Sequence, residues 1–336
     1  MSTMRKEAVV LLCLLVSACY KQNVIELSGS VPDSEKTGST VADDNNKEVS
    51  EQTESPPVND NGSVTAVSVA DYGAVGDGVT DDSAALNSAF QAIRSGGDMY
   101  FESGKVYAIS RGIEIDGARN FNIYGRNATL RVIDGYQPNG NFEHPLSIRN
   151  STDFSVNDLV IDGNRDGRQP AEDWKLDNIK ILECKRFTFR NVTSNNALDD
   201  GFYLDVLAGS HQDRTAANSE GKFINCSADN AYRNGMSIIV GRDIEIVGGS
   251  YTNANGIWPQ SGIDIEPNEE DVSPGAEDII IRDATFTGNN GAGVMATNYW
   301  SGVERVAVEN NYFSDNALAG VMMAVTTGSV SGNTFY

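Results

Sequence analysis

The sequence predicts an all-β fold, a right-handed parallel β-helix with one capping helix at its N-terminal end. Short strands separated by Asn, Gly and Asp turns can be laid over one another in a common frame, as in FRNVTSNNA, FINCSADNA, IVGGSYTNA, IRDATFTGN and VENNYFSDN. A second strand follows each of these at Gly201, Gly235, Gly262, Gly293 and Gly320, about every 30 residues, which is the length of one solenoid coil. An antiparallel sandwich also contains many short strands, but it would not need a common frame from turn to turn.

The glycine-led strands carry two columns of side chains, because successive residues of a strand point to opposite faces. One column is apolar and is predicted to form the core: Phe202, Met236, Ile263, Val294 and Val321. The other column is predicted to face outward: Tyr203, Ser237, Asp264, Met295 and Met322.

The first 18 residues read as a signal peptide, with Arg5 and Lys6 before an apolar run that is too short to span a membrane as a mature helix. The stretch LVSAC resembles the lipobox of bacterial lipoproteins, and that resemblance implies a lipid anchor at Cys19. It places the protein in the bacterial cell envelope, either periplasmic or exposed at the surface. Soluble export with cleavage after Ala18 is the alternative.

Residues 19–65 are rich in Ser, Thr, Asp, Glu and Asn and are predicted to form a disordered tether, because they cannot bury enough apolar surface to offset chain entropy. The β-helix domain is predicted over residues 66–336. It opens with a helix in TDDSAALNSAFQAI, whose apolar residues recur at helical spacing after Asp caps.

The charge balance excludes one class of partner. The chain has 25 Lys and Arg against 47 Asp and Glu, a net charge of -22, which repels nucleic-acid phosphates. We therefore expect no nucleic-acid partner.

Polar side chains are predicted to cluster on the outward face of four successive coils. They are Asp177 and Lys180, then Asp199, Asp200, Tyr203 and Asp205, then Arg233 and Asn234, then Asp264 and Glu266. Paired carboxylates can hydrolyse a glycosidic bond, one as acid for the leaving oxygen and one as base for water. Asp177 and Asp199 could equally be turn formers, since Asp and Asn tolerate left-handed backbone.

The stretch ADYGAVGDGVTDDSAALNSAF resembles the N-terminal signature of the pectate-lyase-like superfamily of β-helix proteins, which includes polygalacturonases, rhamnogalacturonases and alginate C5-epimerases. The order LDN, LDD, RNG and DIE on successive coils resembles a polygalacturonase site. By that resemblance Asp177, Asp199 and Asp200 are the catalytic acids, with Asp200 the general acid.

Asn234 stands where that family has a histidine, and Asp264 and Glu266 stand where it has the basic pair that holds a uronate. These departures predict a neutral or amino sugar, or an anionic sugar bridged by Ca²⁺ at Asp264 and Glu266. The remaining candidates on the outward face are predicted to bind substrate: Lys180, Tyr203, Asp205, Arg233 and Asn234.

A second resemblance is to the alginate C5-epimerases, carried by LVIDGNRDG and by DGFYLD. In that overlay Tyr203 and Asp205 fall at the aspartate and histidine of the epimerase motif, so the resemblance does not carry that family's catalytic pair over to this chain. Tyr203 could still act as acid or base near Lys180. The expected function is cleavage of a polysaccharide, by hydrolysis. The alternatives are a polysaccharide lyase or C5-epimerase, and a non-catalytic glycan-binding solenoid.

Overall fold

A computed structural model describes residues 66–135, 144–168 and 176–336 of the chain. Every strand pairing in these ranges is parallel, and each coil contributes strands to three stacked ladders, so the predicted parallel β-helix is confirmed. The predicted signal peptide, Cys19 and tether lie outside the described residues. The lipid anchor and the location in the cell envelope therefore stay predictions.

Three ladders of strands, which we name sheets A, B and C, run along the solenoid. Sheet A contains β1 (Ala66–Ser68), β3 (Gly97–Tyr100), β6 (Arg119–Val132), β8 (Thr152–Asp162), β10 (Lys185–Arg190), β13 (Asn218–Ile224), β16 (Gly241–Val247), β19 (Ala276–Arg282), β22 (Val303–Glu309) and β25 (Thr327–Ser331). Sheet B contains β2 (Asp77–Asp81), β4 (Val106–Ile109), β11 (Thr193–Asn195), β14 (Ser227–Asp229), β17 (Ser250–Thr252), β20 (Thr285–Thr287), β23 (Tyr312–Ser314) and β26 (Thr334–Phe335). Strands β6 and β8 are long enough to pair in both of these sheets.

Sheet C carries the outward column predicted from the sequence. Its strands are β5 (Ile113–Asp116), β7 (Leu146–Arg149), β9 (Ile179–Leu182), β12 (Phe202–Asp205), β15 (Met236–Ile238), β18 (Ile263–Ile265), β21 (Ala292–Thr297) and β24 (Ala319–Ala324). The register pairs Phe202 with Met236 and Tyr203 with Ser237, and continues to Asp264 and Met295. The strand register therefore confirms both predicted columns of side chains.

Asparagine makes the turns between sheets possible, because it tolerates left-handed backbone better than other non-glycine residues. Asn191 and Asn225 follow sheet A strands with φ of 52° and 53°. Asn196 and Asn230 follow sheet B strands with φ of 54° and 57°. The repeated Asn of the sequence frame thus marks the corners of each coil.

The core is held by aromatic side chains that stack from coil to coil. Phe286 lies between Tyr251 and Phe313, with ring centroids 5.6 Å and 4.9 Å apart. All three rings are buried, and a second stack joins Phe121 and Phe154 at 4.9 Å. Each coil therefore buries its apolar face against its two neighbours.

One helix, α1 (Ser83–Ala92), precedes the main run of coils, where the sequence predicts it. The Asp81 carboxylate accepts the Ser83 backbone N–H at 3.1 Å, which satisfies one free donor of the first turn. Leu86 and Phe90 are buried, and the helix packs against β1, β5 and the 3₁₀ turn Val69–Tyr72. Further 3₁₀ turns are Arg165–Gly167 and Arg214–Ala216.

Among the described residues, α1 included, we find no helix that combines the length and the apolar character needed to cross a bilayer.

Candidate active site

The outer face of sheet C brings together the predicted site residues in adjacent positions. The register places Lys180 beside Tyr203, Tyr203 beside Ser237 and Ser237 beside Asp264. These residues are far apart in sequence, but each is one strand from the next. The face therefore presents one continuous polar column.

A cluster of three carboxylates lies at the entrance to this column. Each of Asp177, Asp199 and Asp200 has a carboxylate oxygen within 4.8 Å of one from each of the others. The Asp200 backbone N–H donates to Asp177 Oδ1 at 3.4 Å. None of the three has left-handed backbone, so they do not act as left-handed turn residues. They are 1%, 7% and 0% exposed, which leaves little surface for a substrate to contact directly.

Arg233 neutralises the acids of two coils. Its Nη1 is 2.8 Å from Asp200 Oδ2, and its Nη2 is 3.6 Å from Asp264 Oδ2. The second Asp200 oxygen accepts the Asn234 backbone N–H at 2.8 Å. Burial raises the pKa of Asp200, although Arg233 opposes that shift. Burial alone would lower the pKa of Arg233, but Asp200 and Asp264 raise it.

Asp264 is in the predicted outward column but is fully buried, because Arg233 and Asn234 reach over it. Asn234 Nδ2 donates to Ser237 Oγ at 3.0 Å and to Asp264 Oδ2 at 3.3 Å. Asp264 Oδ1 has no hydrogen-bond partner. Burial raises the pKa of Asp264 well above its usual range and also raises the pKa of Glu266. Burial thus works towards the protonated form of Asp264, whereas the charge of Arg233 opposes it and works towards the ionised form.

Lys180 connects the acid cluster to Tyr203. Its Nζ is 3.5 Å from Asp177 Oδ2 and lies 4.7 Å from the centre of the Tyr203 ring, within cation–π distance. His144 Nδ1 is 3.6 Å from the same Asp177 oxygen. Burial and the charge of Lys180 lower the pKa of His144 to about 3, so this imidazole is neutral at neutral pH.

Tyr203 and Asp205 form a hydrogen-bonded pair on β12. The Tyr203 hydroxyl donates to Asp205 Oδ2 at 3.0 Å, and the Val206 backbone N–H donates to Asp205 Oδ1 at 2.8 Å. Burial raises the pKa of Asp205 to about 6 despite these bonds. Burial and the Asp205 charge raise the pKa of Tyr203 well above 10. The pair therefore combines a neutral phenol with a carboxylate that titrates near neutral pH.

Within the described ranges, two groups of three side chains could hold a metal ion. One is Asp177, Asp199 and Asp200, and the other is Asp205, His211 and Asp271. Asp264 and Glu266 belong to neither group, although the unpartnered Asp264 Oδ1 is an oxygen of the kind that Ca²⁺ binds. Calcium at Asp264 and Glu266 stays a prediction.

The family of the domain that carries this site can be identified from its sequence. Residues 66–336 match the family described as rhamnogalacturonase A/epimerase, pectate lyase-like. The chain belongs to this family. The superfamily resemblance drawn from the N-terminal signature is thereby confirmed.

Relatives of this pectate lyase-like chain include enzymes named for alginate chemistry. The mannuronan C5-epimerase AlgE1 of Azotobacter vinelandii is 28% identical over 266 residues, 68% of this chain and 18% of that protein. Alginate lyase 7 of the same organism is 28% identical over 200 residues, 46% of this chain and 22% of that protein. The chain spans about a fifth of the length of these curated relatives.

Solved structures with similar coils support the fold. The pre-mature bacteriophage phi29 gene product 12 superposes with a TM-score of 0.56 at 17% identity, over 74% of this chain and 34% of that one. The periplasmic alginate epimerase AlgG superposes with a TM-score of 0.52 at 12% identity, over 71% of this chain and 51% of that one. At such low identity these likenesses show the parallel β-helix fold alone.

The structure brings the predicted site residues together, and it also adds residues to which the sequence pattern gives little weight. His144 contacts Asp177 from the coil before it, and His211 lies beside Asp205 with Asp271. A lone histidine in a loop carries no periodic signal, so the sequence could not show which coil it faces.

Proposed function

We propose that this chain acts on a uronate-containing polysaccharide by moving the proton on C5 of the sugar, as a polysaccharide lyase or a C5-epimerase. The observation that carries the proposal is the Tyr203 hydroxyl, which bonds to Asp205 beneath the ammonium of Lys180. The names of the mannuronan C5-epimerases and the alginate lyase among the relatives support the same substrate class.

The pair can accept the C5 proton without forming a free tyrosinate. The sugar C–H bond breaks and its proton moves to the Tyr203 oxygen, while the phenolic proton moves to Asp205. The two bonding electrons delocalise into the sugar carboxylate as an enolate. The raised pKa of Tyr203 disfavours a tyrosinate, whereas Asp205 with a pKa of about 6 is ionised and ready to accept at neutral pH.

The two reactions diverge once the enolate has formed. In elimination its electrons form the C4–C5 double bond, the bond from C4 to the glycosidic oxygen breaks, and that oxygen takes the proton. In epimerisation water protonates C5 from the opposite face, and Asp205 releases the proton that it took up to solvent. Neither outcome needs a redox partner.

Two half-buried cations are placed to hold the uronate carboxylate and the enolate. Lys180 lies on β9 and Arg233 in the turn before β15, on either side of β12 with Tyr203, and their side chains are 21% and 23% exposed. The sequence suggested that Asp264 and Glu266 would repel a uronate. Instead Asp264 is covered by Arg233, and burial raises the pKa of both acids, so less negative charge faces the sugar.

Hydrolysis through Asp177, Asp199 and Asp200 is the second candidate. The close approach of their oxygens and the raised pKa of Asp200, which favours a protonated general acid, support it. The near-complete burial of Asp177 and Asp200 and their bonds to Lys180 and Arg233 weigh against it.

Product analysis over a panel of uronate and neutral polysaccharides tests the proposal. Elimination gives unsaturated ends that absorb in the ultraviolet, and epimerisation gives inverted uronates by NMR. New saturated reducing ends that vanish with Asp200→Asn but persist with Tyr203→Phe would favour hydrolysis instead. Glycan binding with no product from any polysaccharide would favour the non-catalytic solenoid. Parallel reactions with a chelator test the predicted Ca²⁺.

A further inference from the structure

Two loops that follow sheet C strands bond to each other across the site. One is the loop of residues 206–217 after β12, and the other is the loop of residues 266–275 after β18. The Val272 backbone N–H donates to the His211 carbonyl at 2.7 Å, and Arg214 Nη1 donates to the Ser273 carbonyl at 3.3 Å. These contacts fix where the His211 side chain lies.

The His211 ring is surrounded by acidic groups. Its Nδ1 is 2.8 Å from Asp271 Oδ1, and the buried Asp271 is held by the Asn268 backbone N–H at 2.6 Å. Asp205 completes the group, with its nearest oxygen within 4.8 Å of the other two side chains. Glu270 adds a further negative charge.

His211 is the more exposed neighbour of the buried Asp205. Its side chain is 23% exposed, whereas Asp205 is 8% exposed as a residue and is already bonded by Tyr203 and Val206. We propose that His211 is the residue through which Asp205 exchanges its proton with solvent. The proposal rests on the proposed function and gives His211 a role that acts through Asp205, not on the sugar.

The proton balance of this exchange is simple. Protonated Asp205 gives its proton to the neutral His211 imidazole, which becomes an imidazolium next to Asp271, and the imidazolium then releases the proton to water. Burial would lower the pKa of His211, but Asp271, Asp205 and Glu270 together raise it above its usual value. The reacting atoms of Asp205 and His211 lie within 4.8 Å of each other, and water reaches the exposed part of the His211 ring, so the proton can pass outward through the imidazole. In the reverse direction, the imidazole of His211 takes a proton from water and passes it to Asp205.

Activity of the full chain with His211→Ala tests the role. We expect kcat to fall by about 10-fold or more with KM nearly unchanged, and free imidazole in the buffer to restore the rate in proportion to its concentration. His211→Gln, which keeps polar bulk but cannot carry the proton, should be equally slow. An unchanged kcat overturns the proposal. So does a loss that imidazole never restores in a variant whose unfolding midpoint matches the wild type.

A second measurement does not depend on turnover. The chain has 2 histidines, so His144→Gln leaves a single imidazole to follow by NMR. We expect the pKa of His211 to lie above 6.5 in this background and to fall in both Asp205→Asn and Asp271→Asn, whereas Asp243→Asn on sheet A should leave it unchanged. If Asp205→Asn leaves the pKa of His211 unchanged, the proposal is overturned. If the wild type turns over no uronate polysaccharide, the proposed function fails and this titration still decides the proton linkage.

Discussion

Arg233 joins two buried carboxylates that lie two strands apart on sheet C, with Nη1 2.8 Å from Asp200 Oδ2 and Nη2 3.6 Å from Asp264 Oδ2. Asp200 precedes β12, Asp264 lies in β18, and both are fully buried. A buried charge is costly unless it is paired, so the guanidinium makes this concentration of acids tolerable to the fold.

We therefore expect Arg233→Met to lower the free energy of unfolding by about 3–5 kcal/mol, because it leaves buried carboxylates without their cation. Urea unfolding at neutral pH measures the change. Arg186→Met is the matched control, since Arg186 pairs with Asp153 on the exposed surface, where water screens the two charges, and its loss should change stability far less. Equal losses in the two variants would contradict this account.

Tyr203→Phe should lower kcat by about 10²- to 10⁴-fold, because it removes the hydroxyl that relays the proton to Asp205. The aromatic ring under Lys180 is kept, so substrate affinity should change little. Steady-state kinetics on the substrate found by product analysis provide the measurement. Tyr312→Phe, at an exposed ring, is the control. Full activity of Tyr203→Phe would remove this pair from the mechanism.

The rate should depend on pH through Asp205. With a pKa of about 6, this carboxyl is protonated at lower pH and cannot accept a proton. We expect kcat/KM to rise with pH through about 6 and then to level off, and Asp205→Asn to be nearly inactive across that range. A profile that falls as pH rises through 6 would show that the protonated form of Asp205 is the active one.

His144 should make the fold sensitive to acid. Its pKa of about 3 in the folded protein lies below the value of about 6.5 in the unfolded chain, so only the unfolded chain takes up this proton as pH falls below 6.5. This group should lower stability by about 2 kcal/mol between pH 6.5 and pH 5. Unfolding midpoints of His144→Gln should fall less over that interval. An identical decline in wild type and variant would refute the assignment.

Phe286→Ala should lower the free energy of unfolding by about 3–5 kcal/mol, since it removes the middle ring of a buried stack. Ile280→Ala, in the same coil but 39% exposed, should cost far less. Urea unfolding of both variants gives the comparison. A larger loss for Ile280→Ala would show that the stack is not what stabilises these coils.

The fold and the two columns of sheet C could be predicted because each coil repeats one frame, and a strand's period of two fixes the side of every residue. That period places Phe202 and Tyr203 in the correct columns. Column membership does not determine exposure, however. Asp264 is in the outward column but is buried, because the arginine and asparagine of the preceding coil reach over it.

The contacts between the loops at the site could not be predicted from the sequence, for a physical reason. His211 and Asp271 are 60 residues apart and meet because two loops of unrelated sequence bond to each other. No periodic pattern encodes such a contact. The site could therefore be predicted where strands supply it, at Lys180, Tyr203 and Asp205, and could not be predicted where loops complete it.

The unbroken register of sheet C has a consequence for how relatives should be compared. The neighbours of Tyr203 are Lys180 and Ser237, set by strand pairing and not by distance along the chain. Loops between coils can therefore gain or lose residues without changing which side chains meet. Deletion of Phe202 from β12, in contrast, would move Tyr203 into the core column. Matching chains strand by strand should reveal shared chemistry that overall identity conceals.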